Sequence, residues 1–404
     1  MSKVNPGRLA ALRALLLIEQ GVHADEALAE LAPRDGVDRG LAWHLTLGVL
    51  RRCGALDTVL ARFSRRPIQA LDPVPRNALR IGLFEGALSR TAAHAAVDQA
   101  VEACRAAGQG QASGFVNAIL RRAIAEGLPD DPFLDLPPWL AKRWADWGDW
   151  VARLAVQPPL SGVAARPGYR PAPDTEPASA AGQPVRDAFV WPGQRGAVEQ
   201  LPGFAEGLWW VMDPSAAAVA DLVIDAVEAA GQGRGARVLD AAAAPGGKSL
   251  RMRAAGCEVL ATDASAHRLE RVREGASRTG LHVETAVHDW LVGPMPDAGQ
   301  FAAVLVDAPC TGLGIVRRHP EIRWLRHPTD PAAMALRQLP ILRNASHHVA
   351  PGGALVYAVC SPFPEEGRGV VERLEGWRVE RAWCSTPPQG DEDAFQAFVL
   401  RRAQ

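Results

Sequence analysis

Cys310 and Cys360 each close an apolar run, VLVDAPC ending at Cys310 and ALVYAVC ending at Cys360, and Asp307 lies on the first of them. A thiolate adds readily to an electron-poor carbon, and a nearby carboxylate can orient or protonate the group attacked. Apolar runs that stop at a polar residue and a turn read as buried parallel strands. In an open α/β sheet the ligand lies outside the carboxyl ends of the strands. Two thiols at two such ends can therefore face one reaction centre. A lone strand-end cysteine is more often core filling; a pair with an acid beside it points to chemistry.

The elements that must position them begin at Leu208. The pattern predicts strands at Arg237–Asp240, Glu258–Asp263, His282–Asp289, Phe301–Asp307 and Ala354–Cys360, with terminal strands near Trp377–Trp383 and Ala394–Leu400. Helices are expected from Lys248, over Arg268–Arg278, Met334–Val349 and Glu365–Leu374. Strands alternating with helices make a doubly wound, Rossmann-like α/β domain, assigned to 208–404. Residues 1–129 read instead as all-α. Helical periodicity recurs at Asp38–Leu50, Asn77–Leu88, Ala92–Ala107 and Gly114–Ala125 without strand-like alternation. Residues 130–207 are expected to link the two. Their Trp139, Trp144, Trp147 and Trp150 suit packing more than base stacking, and PAPDTEPASAAGQP (171–184) reads as a loose surface linker.

Composition narrows the classes. The chain has 404 residues, enough for two or three domains, a net charge of −1 and a pI near 6.8. Any nucleic-acid binding must therefore be local. Residues 1–129 carry 16 Lys/Arg against 12 Asp/Glu, with pairs at Arg51–Arg52, Arg65–Arg66 and Arg121–Arg122 that are either a solvated helical face or phosphate contacts. The six cysteines form no CxxC pair, which argues against a zinc site and a disulfide framework. No signal peptide or membrane span is evident, so a cytoplasmic protein without metal or membrane partner is expected.

ARVLDAAAAPGGKS (236–249) is a strand, an acid, a small-residue loop and a Gly-Gly turn into a helix. It is neither GxGxxG nor the phosphate loop GxxxxGK[ST], because Ala242 stands where the latter needs its first Gly. Asp240, Asp263 and Asp289 end three successive predicted strands. Acids in that order suit a ligand bearing amines, hydroxyls and a positive sulfur, S-adenosyl-L-methionine; each alone would read as a helix N-cap. Joined to two thiols, a methyl donor suggests cytosine. Carbon 5 of cytosine becomes nucleophilic once a thiolate adds to carbon 6, and a second group must then assist elimination. The residue chemistry leaves open which cysteine attacks.

The stretches DAAAAPGGKS, VLVDAPCTGLGIVRRHPEIRW and YAVCSPFPEE resemble the successive motifs of the RNA cytosine-C5 methyltransferases of the NOP/Sun superfamily. DRGLAWHLTLGVLRR, AHAAVDQAVEACR and GFVNAILRR are similar to the NusB-like domain of its bacterial 16S rRNA branch, the Fmu/Sun type. The resemblance implies Cys360 as nucleophile, Cys310 in product release, Asp307 on the target base, and Lys248 against methionine or cytosine. It implies that Ala243, Ala244, Pro245, Gly246, Gly247 and Lys248 wrap the methionine, with Asp240 and Asp307 also on the cofactor side. Asp263 would hold the ribose and Asp289 the adenine end. It further implies a NusB-like domain gripping 16S rRNA, free or in a small-subunit assembly intermediate; a monomer is expected. Ala242, Val359 and Met212 depart from the residues common in the family, which are Cys, Thr and Gln. The reading from another class is an RNA-binding assembly factor with a vestigial methyltransferase domain; the intact Cys310, Cys360, Asp307 and Lys248 argue against it.

Overall fold

The computed structural model describes residues 4–34, 36–156, 161–191, 198–390 and 392–403. The chain divides into two compact units, Met1–Pro158 with Val316–Pro328, and Pro159–Ile315 with Thr329–Gln404. The segment 130–207 is thus not one linking piece: its first part belongs with the helices and the remainder with the sheets.

The described residues open with eight α-helices, α1 (Pro6–Ile18), α2 (Ala24–Leu31), α3 (Val37–Phe63), α4 (Pro73–Leu88), α5 (Ala93–Ala106), α6 (Ser113–Glu126), α7 (Pro138–Arg143) and α8 (Gly148–Val156). Then come β1 (Ser161–Ala165), β2 (Glu176–Ala180), β3 (Gln183–Trp191), β4 (Trp209–Val211), α9 (Pro214–Ala229), β5 (Arg237–Asp240), α10 (Gly247–Ala254), β6 (Glu258–Asp263), α11 (Ala266–Thr279) and β7 (Glu284–Val287). The last elements are β8 (Phe301–Asp307), α12 (Ile322–Leu325), α13 (Asp330–Ser346), β9 (Val349–Val359), α14 (Arg368–Val371), β10 (Trp377–Cys384) and β11 (Gln396–Arg402).

In the helical unit, Asn5 caps α1 by accepting the Arg8 N–H at 3.1 Å, with Pro6 in the first turn where no N–H is needed. Leu12, Leu15, Leu45, Leu56, Leu79 and Leu120 fill the core at helical spacing. Helix α3 runs past the expected end at Leu50, through a kink at Arg52 (φ −109°, ψ 15°). At the kink a Cβ on Gly54 would lie 1.6 Å from the Leu134 carbonyl oxygen, so only glycine admits that approach. The buried Asp135 then accepts the Ala55 N–H at 2.9 Å and lies 2.9 Å from Arg52 Nε.

The 316–328 segment is part of this core. Arg317, Glu321 and Arg323 are at most 1% exposed. Glu321 accepts the Ala24 N–H at 3.2 Å, at the start of α2. Burial would push its carboxyl up, but hydrogen bonds from His23 and His319 outweigh that and hold it at about 2. Arg51 donates to the Arg317 carbonyl at 3.2 Å, and Trp324 donates to the Leu50 carbonyl at 2.8 Å. Arg51 and Arg52 are therefore committed inside the fold, which removes that pair from the expected phosphate contacts; Arg65, Arg66, Arg121 and Arg122 are exposed. Trp144 and Trp150 are buried, edge to face at 4.8 Å, as packing residues.

The second unit holds two sheets. The seven-stranded one has the order β10-β11-β9-β8-β5-β6-β7, with β5 to β9 parallel and β10 and β11 antiparallel. Strand β8 is buried on both faces: Ala303 and Leu305 pack toward α9, and Val304 and Val306 toward α13. That explains its unbroken apolar sequence. The four-stranded antiparallel sheet, β2-β3-β1-β4, takes in half of the stretch expected to be a loose linker. Ala178, Ala180, Val185 and Ala188 bury one face of that hairpin in the α9 core. Small alanines on a buried face look like linker composition, and that hid the strands. Among the described residues no helix is long and apolar enough to cross a membrane.

Candidate active site

The two thiols meet. Strands β8 and β9 run parallel with Asp307 opposite Ala358, and the Ala308 N–H donates to the Ala358 carbonyl at 2.9 Å. Beyond them the Gly314 N–H donates to the Cys360 carbonyl at 3.0 Å. The Cys310 loop is thus laid against the end of β9, with Cys310 Sγ 3.2 Å from Cys360 Sγ. The hydrogen bond to Cys360 raises the Cys310 thiol well above its ordinary range, and burial adds to this.

Lys248 Nζ lies 2.6 Å from Asp307 Oδ2, both half-buried. Lys248 is in the first turn of α10 and Asp307 is the last residue of β8, so the pair links the small-residue loop to the Cys310 strand. Burial alone would pull the Lys248 ammonium down, but the Asp307 charge raises it above its usual value. A negative Cys360 adds to the same effect. This carboxylate, ammonium and paired thiols suit addition to an electron-poor ring and the proton movements that follow.

The three acids stand at the ends of neighbouring strands β5, β6 and β7 or just beyond. Asp240 is buried; its Oδ2 accepts the Ser249 hydroxyl at 2.6 Å, while its Oδ1 has no hydrogen-bond partner among the described residues. Burial pushes its carboxyl up to about 7. Asp263 Oδ1 accepts the Ser265 N–H at 3.0 Å, and Ser265 caps α11. Asp289 is exposed and accepts the Leu291 N–H at 2.9 Å. Asp263 and Asp289 thus each close a local turn with one oxygen.

Between Asp240 and α10, Ala241–Gly246 forms a tight small-residue loop with a cis Ala244–Pro245 bond. Gly246 has φ +108°, and a Cβ there would meet the Val272 Cα at 3.2 Å. The orphaned Asp240 oxygen, the acids on consecutive strand ends and this loop fit a cationic, hydroxyl-bearing nucleoside such as S-adenosyl-L-methionine.

Two of the three departures from the family pattern have structural readings. Val359 is buried in the apolar layer under α13, and Met212 is buried near Gly247. Asp213, beside Met212, accepts the Ser215 N–H at 2.8 Å and the Asp393 N–H at 3.2 Å, so it braces α9. Glu366 carries no functional signal in the sequence. It is fully buried and bonded to Thr311 and Ser361, the residues after the two cysteines, yet a Glu-Glu pair in a proline-rich loop reads as solvent-exposed.

Residues 231–395 match the family described as 16S rRNA methyltransferase RsmB/F, and residues 5–125 match the NusB family. The ribosomal RNA small subunit methyltransferase B of Xanthomonas campestris pv. campestris is 36% identical over 386 residues, covering 90% of this chain and 86% of the relative. That of Thermus thermophilus is 36% identical over 416 residues, covering 98% and 97%. The crystal structure of PH0851 has the same fold along the whole of both chains, with a TM-score of 0.79 at 20% identity. With identity sustained along nearly the full length and the helical and α/β parts in the same order, this chain belongs to the RsmB/F family of S-adenosyl-L-methionine-dependent 16S rRNA methyltransferases.

Proposed function

We propose that this enzyme methylates carbon 5 of a cytosine in 16S rRNA through a covalent bond between Cys360 and carbon 6. The observation that carries the reading is the 3.2 Å approach of Cys310 to Cys360 beside the Lys248–Asp307 pair. S-adenosyl-L-methionine supplies an electrophilic methyl group when bound. Asp240, the Ala243–Lys248 loop, Asp263 and Asp289 are the residues that would hold it.

The Cys360 thiolate attacks carbon 6, and its electron pair becomes the sulfur–carbon bond. Electron density moves to carbon 5, while Asp307 and the ammonium on it face the ring's N3 and amino edge. The electron pair at carbon 5 takes the methyl group as the donor's sulfur–methyl bond breaks and its pair stays on the donor sulfur; carbon 5 then passes its proton to water, and the C–H pair re-forms the carbon 5–carbon 6 double bond. The sulfur–carbon bond breaks, and Cys310 assists that elimination beside the departing Cys360 thiolate. The target base must leave any helical stack for carbon 6 to be reached. The four groups of a working site all stand together, which counts against a vestigial domain.

Residues 1–129 are the rRNA-gripping part in this reading, with exposed Arg65, Arg66, Arg121 and Arg122 as its phosphate contacts. Purified protein, unmodified 16S rRNA and S-adenosyl-L-methionine should yield 5-methylcytidine in a nucleoside digest read by mass spectrometry. Methyl groups at any other position, or none on any RNA, would overturn the reading.

A further inference from the structure

Glu366 lies between the two cysteine loops. It is 0% exposed, on the turn between β9 and α14. Its Oε1 accepts the Thr311 N–H at 2.7 Å, and its Oε2 accepts the Thr311 hydroxyl at 2.6 Å and the Ser361 hydroxyl. Thr311 follows Cys310 and Ser361 follows Cys360. One carboxylate therefore holds the residue after each thiol.

The brace has a third arm. Gln338 Nε2, on α13, lies 3.3 Å from Glu366 Oε1 and donates to the Pro309 carbonyl at 3.0 Å, immediately before Cys310. The backbone of Glu366 is fixed as well, its carbonyl accepting the buried Tyr357 hydroxyl at 2.6 Å. Burying a carboxylate is costly unless donors surround it. Here the donors come from the backbone or neighbours of both reactive cysteines, so the cost fixes their separation.

We propose that Glu366 is a positioning residue that holds Cys310 against Cys360, and that release of the methylated base depends on it. The inference rests on the covalent mechanism above. Geometric errors near 1 Å at reacting groups cost on the order of a hundredfold in rate. Attack needs Cys360 alone, whereas release needs both thiols in register, so loss of the brace falls mainly on release.

The test compares wild type, Glu366→Ala, Glu366→Gln and Ser361→Ala. Glutamine can keep the bridge, because one amide oxygen accepts the Thr311 N–H and the hydroxyls rotate to accept from its NH2 group. The first readout is oxidation of the free protein by diamide. The two thiols lose two electrons and two protons to the diazene and become a disulfide, scored by mass spectrometry. The second is the rate at which a covalent RNA adduct disappears, and the third is S-adenosyl-L-methionine binding by calorimetry.

Expected for Glu366→Ala is a fall of about tenfold or more in both disulfide formation and adduct release, with cofactor binding within about twofold. Glu366→Gln should restore both rates to within about threefold, and Ser361→Ala should shift them in the alanine direction by less. Ser361→Ala removes the arm on the Cys360 side and keeps the bonds from Thr311 to Glu366, although the Ser361 hydroxyl's contacts with Thr311 and the Phe363 N–H go with it; it carries the test if Glu366→Ala does not fold. Wild-type rates in the alanine variants would overturn the proposal, as would equal loss of cofactor binding in the glutamine and alanine variants. If wild type forms no adduct, the covalent mechanism fails, while the disulfide rates still decide whether Glu366 sets the thiol placement.

Discussion

Lys248 Nζ stands 2.6 Å from Asp307 Oδ2, joining the first turn of α10 to the end of β8. The small-residue loop and the Cys310 strand are therefore tied together by an ion pair. Lys248→Met would leave the Asp307 charge half-buried without its partner. Discounted for that partial exposure, the cost should be about 2 kcal/mol in denaturant unfolding. Methyl transfer should fall about a hundredfold, because the charge proposed to face the base is lost. Near wild-type turnover in Lys248→Met would remove the pair from the mechanism.

Asp240 makes stability depend on pH in a stated direction. Burial raises its carboxyl from 3.8 in the unfolded chain to about 7 in the fold. The folded state then binds the proton more tightly. The stability from this group is complete below about 4 and is lost as pH rises to about 7. Asp240→Asn cannot ionise and keeps an acceptor for Ser249. Its stability relative to wild type should increase from pH 5 to pH 8 by roughly 3 kcal/mol. A difference that stays constant with pH, read from urea midpoints, would contradict the buried protonated carboxyl.

Gly314 is where the Cys310 loop meets the end of β9. A Cβ there would lie 2.0 Å from the Ala394 carbonyl oxygen and 2.9 Å from that of Cys360. Gly314→Ala should cost about 2–3 kcal/mol and abolish measurable methyl transfer while cofactor binding persists. Full activity in this variant would mean that the loop is not held as described.

The remaining arginine pairs should act through phosphate. Arg65→Glu combined with Arg121→Glu should weaken binding to 16S rRNA fragments and lower the salt slope of log K by about two. Cofactor binding should be unchanged. An Arg51→Ala variant should instead lose thermal stability, because that guanidinium is held on the Arg317 carbonyl inside the helical unit.

Much of this was legible because strands buried on both faces announce themselves. β5, β6 and β8 begin and end at the residues predicted, each an apolar run closed by Asp240, Asp263 or Asp307. The thiol pair followed from two such ends on adjacent strands. Long-range contacts left no such trace. Arg317, Glu321 and Arg323 sit in a string of charges that looks exposed, yet they are buried with the helical unit. The helix expected over Glu365–Leu374 shrinks to Arg368–Val371, since Glu366 is drawn down onto Thr311 and Ser361. The strand at Val349 begins where the α13 helix was expected to end, because an apolar residue in isolation fits either.

The measurement that tests the central claim most directly uses unmodified 16S rRNA, radiolabelled S-adenosyl-L-methionine, and wild type, Cys310→Ala and Cys360→Ala proteins. Methyl transfer and protein–RNA adducts that survive denaturing gels are scored together. The account predicts that Cys310→Ala accumulates an adduct, and that Cys360→Ala gives neither adduct nor methyl transfer. An adduct trapped by Cys360→Ala and absent from Cys310→Ala would reverse the roles of the two thiols and contradict it.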